Sequence, residues 1–240
     1  EFTVVSMVPK GSSPETYDQL QQDLCINNNP ITILTFAASV WGMNDVTHLG
    51  IYDIPMMSNI PNLVYLAPTT YEEYIAMLDW STEQREHPVA IRVPGAVIHG
   101  EKPTKDYGIL NKYETVQKGS GAAIIALGTF FGMGKQAAEL IEKKTGVKPT
   151  LIDPVYITGI DEELLESLKK NHKAVVTLED GILDGGFGEK IARFYGDSDM
   201  RTVNFGLKKE FLDRYDANEV LRQNGITPEQ IADRAAELIK

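Results

Sequence analysis

The chain of 240 residues carries 23 Lys and Arg against 34 Asp and Glu, a formal charge of −11, with 42% hydrophobic and 24% charged residues. This balance excludes wholesale disorder, suits one large or two ordinary domains, and argues against a nucleic-acid or anionic-membrane partner, which would meet an acidic surface. The single cysteine, Cys25, excludes a disulfide framework within the chain and points to a reducing cytoplasm, and no apolar run is long enough for a membrane span.

In chain order, residues 2–8 read as a strand with no basic region or cleavage site of a signal peptide, and the first residue is not Met. Residues 14–26 have the period of an amphipathic helix, with Cys25 as a buried structural thiol. A buried strand is expected over 30–36, then a loop rich in Gly, Asn, Asp and Thr around His48. A strand over 61–67 follows, then a helix over 69–84 with Thr69 or Thr70 as N-cap, then a strand over 88–93. From Pro94 to Gly121 the pattern weakens into a connection with room for one short strand. The alternation restarts with strands at 122–128, 148–156, 173–180 and 201–206. Helices are expected at 132–146, 161–170 and 185–196, with a last helix opened by Thr227 and Pro228. Short apolar runs alternating with helices predict an α/β protein of two three-layer α/β/α domains with mainly parallel sheets, residues 1–105 and 121–240, joined by a linker at 106–120.

Several residue groups could carry chemistry. Gly128, Gly132 and Gly134 lie between a strand and a helix, but their spacing matches neither a phosphate loop nor a dinucleotide fingerprint, so a tight turn is expected. Gly185, Gly186 and Gly188 invite the same reading. His48 stands where open α/β sheets place ligands, and an imidazole can handle protons near neutrality or only tie down its loop. Asn44 and Asp45 beside it could hold a hydroxylated substrate or form a turn. Arg92 ends a strand, where its partner would be a substrate anion or a structural carboxylate. Tyr17 and Asp18 open a helix, as a cap or as part of a site. Glu179, Asp180 and Asp184 are read as turn or interdomain contacts. His87, His99 and His172 are read as structural or solvated. No pair of histidines has metal-ligand spacing, so no metal site is expected.

The blocks "YDQLQQDL", "GMNDVTHLGIYDI", "SNIPNLVYLAPTTYEEYIAML", "PVAIRVPG" and "VTLEDGILDGGFGEKIARF" occur in this order. Together they resemble the transketolase family of thiamine-diphosphate enzymes, and within it the 1-deoxy-D-xylulose-5-phosphate synthases, over nearly the whole chain after residue 16. The resemblance implies the second, pyrimidine-binding domain of the family, incomplete at its front, followed by the carboxyl-terminal domain. It also implies a cytoplasmic homodimer acting on small sugar or 2-oxo-acid substrates. Thiamine diphosphate and magnesium would be held largely by an amino-terminal domain or subunit absent here, so this chain alone is expected to be inactive. His48 is carried over as the catalytic residue, with Asn44, Asp45 and Arg92 on the substrate and Tyr17 near the cofactor. Where the family has a stacking Phe and three substrate-holding arginines, this chain has Ser12, Glu15, Ala37 and Gly95, which puts a phosphorylated acceptor in doubt. Alternatives are the small chain of a split transketolase, a chain like the β subunit of a 2-oxo-acid dehydrogenase, or a non-catalytic dimerising paralogue.

Overall fold

The computed structural model describes residues 4–7, 14–42 and 45–239, with side chains from residue 17 on. Strands β1 (Val4–Met7), β2 (Thr32–Thr35), β3 (Val64–Leu66) and β4 (Val89–Arg92) form an all-parallel sheet in the order β1-β2-β4-β3. Strands β5 (Glu114–Gln117), β6 (Gly121–Ala126), β7 (Thr150–Asp153), β8 (His172–Ile182) and β9 (Arg201–Leu207) form a second sheet in the order β5-β7-β6-β8-β9. Only β5, at the edge and within the stretch read as a connection, runs antiparallel. Every residue of β3, β4 and β7 is buried, as expected of strands covered on both faces.

The helices are α1 (Pro14–Gln19), α2 (Asp53–Met57), α3 (Tyr71–Glu83), α4 (Phe131–Thr145), α5 (Glu162–Leu168), α6 (Phe187–Tyr195), α7 (Ala217–Gln223) and α8 (Pro228–Ile239). Their ends follow from local chemistry. The Thr70 hydroxyl accepts from Glu73 N–H (3.1 Å), while the Glu73 carboxylate accepts from Thr69 N–H (2.8 Å), a reciprocal cap. Asp161 and Asp216 cap α5 and α7, accepting at 3.0 and 2.8 Å. Gly146 closes α4 in the left-handed region, at φ 72°. Among the described residues no helix is long and apolar enough to cross a membrane.

The two sheets share one core. Ile33, Tyr65 and Ala90 from the first pack in the same cluster as Ala123, Ile125, Phe187 and Ile191 from the second. Backbone bonds stitch the two together: Ala67 N–H to Val155 O (2.8 Å), Ile157 N–H to Tyr65 O (2.8 Å), and Ile182 N–H to Ile51 O (3.0 Å).

Four elements differ from the sequence expectation. The helix read over 14–26 is α-helical only to Gln19 and then π-helical over Leu20–Cys25, which brings Leu20 and Cys25, five apart, onto one buried face. The strand read over 148–156 ends at Asp153, because Val155 lies at φ 62° with its N–H bonded to the Asp153 carboxylate (3.0 Å). Helices α2 and α7, absent from the reading, are five and seven residues long, too short to show a full amphipathic period.

Candidate active-site loop and its buried support

The loop that leaves the carboxyl end of β2 runs from Phe36 to Tyr52. An antiparallel bridge between Ser39 and Gly50 pinches it at its base, with Ser39 N–H donating to Gly50 O (2.7 Å). The approach is so close that a Cβ on residue 50 would lie 1.7 Å from Ala37 O, so only glycine fits. Ala37 and Ser39 themselves hold positive φ, 57° and 109°. A pinched, over-determined base of this kind fixes what the tip presents.

Near the tip, Asp45 Oδ1 accepts from Thr47 N–H (2.9 Å) and from the Thr47 hydroxyl (2.5 Å), and it lies 3.0 Å from His48 Nδ1. The Thr47 hydroxyl is also 2.8 Å from that nitrogen. The Thr47 side chain, then His48, then the Thr47 backbone hold the Asp45 carboxyl down at about 2, so it is an anion at neutral pH. An anionic acceptor beside Nδ1 assigns the proton of a neutral imidazole to Nδ1 and leaves a lone pair on Nε2. The His48 side chain is 50% exposed. The loop therefore ties its histidine down by one nitrogen and offers the other outward. Asn44 lies outside the described residues.

Arg92, at the end of β4, is 5% exposed. Its Nε and Nη2 donate to the two oxygens of Asp53 (2.9 and 3.3 Å), and its Nη1 donates to Asp180 on β8. The Tyr65 hydroxyl also donates to Asp53, and the Thr129 hydroxyl donates to Asp180 (3.0 Å). Burial alone would lower the guanidinium pKa, but Asp180 and then Asp53 outweigh it and hold the group above its usual range. For Asp53, burial pushes the carboxyl up against the pull of Arg92. Of the two partners open for Arg92, the structure supplies structural carboxylates, and the cluster pins the first sheet to the second. Asp180 makes the interdomain contact read for its segment. The sequence reading weighed neither Tyr65 nor Thr129, whose roles depend on contacts across 12 and 51 positions.

Tyr17 donates its hydroxyl to Asn59 (2.7 Å), just beyond α2. Glu179, buried, accepts from the N–H groups of Phe187 and Gly188 at the start of α6 (2.7 and 2.8 Å). Burial still raises its carboxyl to about 7, opposed by those two N–H groups. Burial raises the Cys25 thiol to about 11, leaving it un-ionised at neutral pH. His99 pairs with Glu72 (2.7 Å), His87 faces Glu86 (3.8 Å), and His172 is held between Thr150 (2.8 Å) and Leu168 O (3.0 Å).

The described residues hold no group of three His, Cys, Asp or Glu placed to bind a metal. They also offer no free cation at the His48 loop for a diphosphate.

The family model described as transketolase, C-terminal domain, matches residues 111–231. A 1-deoxy-D-xylulose-5-phosphate synthase of Clostridium perfringens strain SM101 is 33% identical over 229 residues, 93% of this chain and 36% of that protein. One of Clostridium tetani is 31% identical, again over 93% of this chain and 36% of the relative. The chain therefore spans about a third of the length of the curated relatives it matches. Among solved structures, a split-gene transketolase described as an inactive β4 tetramer superposes with a TM-score of 0.83 at 20% identity, covering 99% of this chain and 76% of that one. A transketolase of Pichia stipitis gives 0.70 at 19% identity, over 90% of this chain and 31% of its own. These likenesses show the fold. Together with the family match over half of the sequence, they place the chain in the transketolase family, as the carboxyl-terminal portion of a protein like the 1-deoxy-D-xylulose-5-phosphate synthases.

Proposed function

We propose that the chain is the carboxyl-terminal part of a thiamine-diphosphate-dependent transferase that moves a two-carbon unit to an acceptor, and that the His48 loop forms the substrate side of its site. The observation that carries this is the orientation of His48: Nδ1 held by Asp45, Nε2 open, at the carboxyl end of a parallel sheet. In the neutral form Nε2 takes a proton from a substrate hydroxyl. The imidazolium that results is stabilised by the Asp45 anion and returns the proton to a developing oxyanion. Bound cofactor would supply the electron sink, and protein outside this sequence would hold its diphosphate and magnesium. We assign His48 as the catalytic residue, Asn44 and Asp45 as neighbours of the substrate, and Tyr17 to the cofactor side. Residues 1–105 are the pyrimidine-binding unit and 121–240 the carboxyl-terminal unit, joined by 106–120, in a cytoplasmic homodimer.

A second reading is supported by the 99% coverage of this chain by the split-gene transketolase fold: a small subunit that joins a separately encoded amino-terminal chain. On either reading this chain alone turns nothing over. Calorimetry separates the outcomes. Thiamine diphosphate with magnesium should bind the longer protein, or a reconstituted pair of chains, and leave this chain by itself without heat. Absence of binding in every form would reject the proposal.

A further inference from the structure

No Lys or Arg occurs between Lys10 and Arg85. Strand β2, the His48 loop, α2, β3 and α3 therefore bring no cation to the carboxyl edge of the first sheet. The first two cations beyond that gap on the sheet side differ in fate: Arg85 lies in the turn after α3, and Arg92 is buried and committed to Asp53 and Asp180. On the following connection, Lys105 is taken by Glu73 (2.5 Å) and Glu114 (2.7 Å).

At this edge a groove of about 410 Å³ is lined by Trp41, Ile98, Phe130 and Met133, with Thr129 and Gln136 as its side-chain hydrogen-bonding groups. Among the described residues no charged one lines it, and the Thr129 hydroxyl is already donated to Asp180. Lys102 and Lys135 are exposed and lie outside the lining.

Trp41 and His48 stand two residues beyond the Ser39–Gly50 bridge, on the two arms of one loop, so the groove and the imidazole share a base. The indole N–H donates to Ala38 O (2.9 Å), which fixes the ring. The ring lies across Gly95: a Cβ there would fall 1.2 Å from Trp41 Cη2. While Trp41 holds this position, residue 95 can project no side chain, cationic or otherwise.

From these observations we propose that the molecule this chain presents to His48 is uncharged and carries no phosphate, a short aldehyde or ketone with an apolar chain, and that Trp41 is the residue that determines this. A phosphate brought into the groove would shed water and find no cation among the described lining residues in return. An apolar chain loses nothing by burial there and gains contact with the indole. The inference rests on the reading that His48 faces substrate, and the experiment has two arms so that the two fail separately.

The first arm needs no turnover. The chain has two tryptophans, Trp41 and Trp80, so its amide spectrum has two indole signals, assigned with Trp41→Phe. Butanone should move the Trp41 signal saturably, inorganic phosphate at equal concentration should leave it unmoved, and Trp41→Ala should abolish the butanone response of the neighbouring loop amides. Saturable movement by phosphate, or none by butanone, overturns the inference. The second arm uses the longer, thiamine-dependent protein with propanal and glyceraldehyde 3-phosphate as acceptors. The unphosphorylated aldehyde should be preferred by about tenfold or more in kcat/KM, the loss expected when a charge is buried without a partner. A preference for the phosphate overturns the inference. If neither acceptor is used, the functional reading fails and the spectroscopic arm alone decides whether the groove takes uncharged ligands.

Discussion

Arg92 and Asp180 are 88 positions apart in the chain and form an ion pair in its interior, the first at the end of β4 and the second within β8. With Asp53 on the other side of the guanidinium, this pair is the polar bolt between the two sheets. A buried pair adds little over a well-packed apolar substitute, but removing one partner leaves charge without compensation. Arg92→Met should therefore lower the unfolding free energy in urea by about 3–5 kcal/mol. Thr129→Val, which removes only the hydroxyl on Asp180, should cost about 1 kcal/mol. Equal, small losses for both would show that the bolt is not what joins the sheets.

Glu179 gives a pH dependence with a definite sign. Its folded carboxyl sits at about 7 against an ordinary 4.5. Between those values the native state keeps a proton that the unfolded chain has released, so stability falls as pH rises through the window. The shift corresponds to about 3 kcal/mol lost between pH 4.5 and pH 7. Glu179→Gln keeps one acceptor oxygen for the N–H groups of Phe187 and Gly188, loses the other at every pH, and cannot ionise. The difference in stability between wild type and this variant, measured by urea unfolding at pH 5 and pH 8, should change in favour of the variant at the higher pH. A difference independent of pH would contradict the shifted carboxyl.

Two glycine substitutions should act in opposite directions. Gly50→Ala places a carbon 1.7 Å from Ala37 O, so the base of the His48 loop must open or the protein must fail to reach its native spectrum. Gly132, in the first turn of α4, has no atom within 4 Å of a built Cβ, and Gly132→Ala should stabilise by about 0.5–1 kcal/mol. Thermal melts of both variants check this, and a tolerated Gly50→Ala would mean that the pinch does not hold the loop.

Much of the fold could be read from the residues because its signals are local. Thr70, Asp161, Gly146 and Thr227 mark helix ends through bonds to groups within four positions, and the apolar runs of β3 and β6 announce a covered sheet. The placement of His48 in a loop after a strand could be read the same way. The rest depended on distance. Nothing near Asp53 in the sequence states that Tyr65 and Arg92 converge on it or that Asp180 holds the other side of Arg92, and nothing near Gly95 states that Trp41 covers it. The two open partners of Arg92 could be told apart only by coordinates, since substrate anion and buried carboxylate call for the same side chain at the same strand end. The π-helical turn at Leu20–Cys25 was equally hidden, because its period differs from the one that an amphipathic search assumes.

The tautomer of His48 is a sharper test of its loop than any stability measurement. Asp45 should hold the neutral ring with its proton on Nδ1, and nitrogen chemical shifts of the imidazole read this directly. In Asp45→Asn the anion is gone and the ring should populate both tautomers. A wild-type ring protonated on Nε2 would remove the open acceptor on which the proposed proton transfer depends.

The most direct measurement is two-carbon transfer by the longer protein, or by this chain joined to a separate amino-terminal chain, supplied with thiamine diphosphate and magnesium. Transfer should occur, and His48→Ala should reduce kcat/KM by about 100-fold or more while leaving cofactor affinity unchanged. Full activity in the His48→Ala protein, or no transfer from any combination of chains that binds the cofactor, would contradict the role given to this loop.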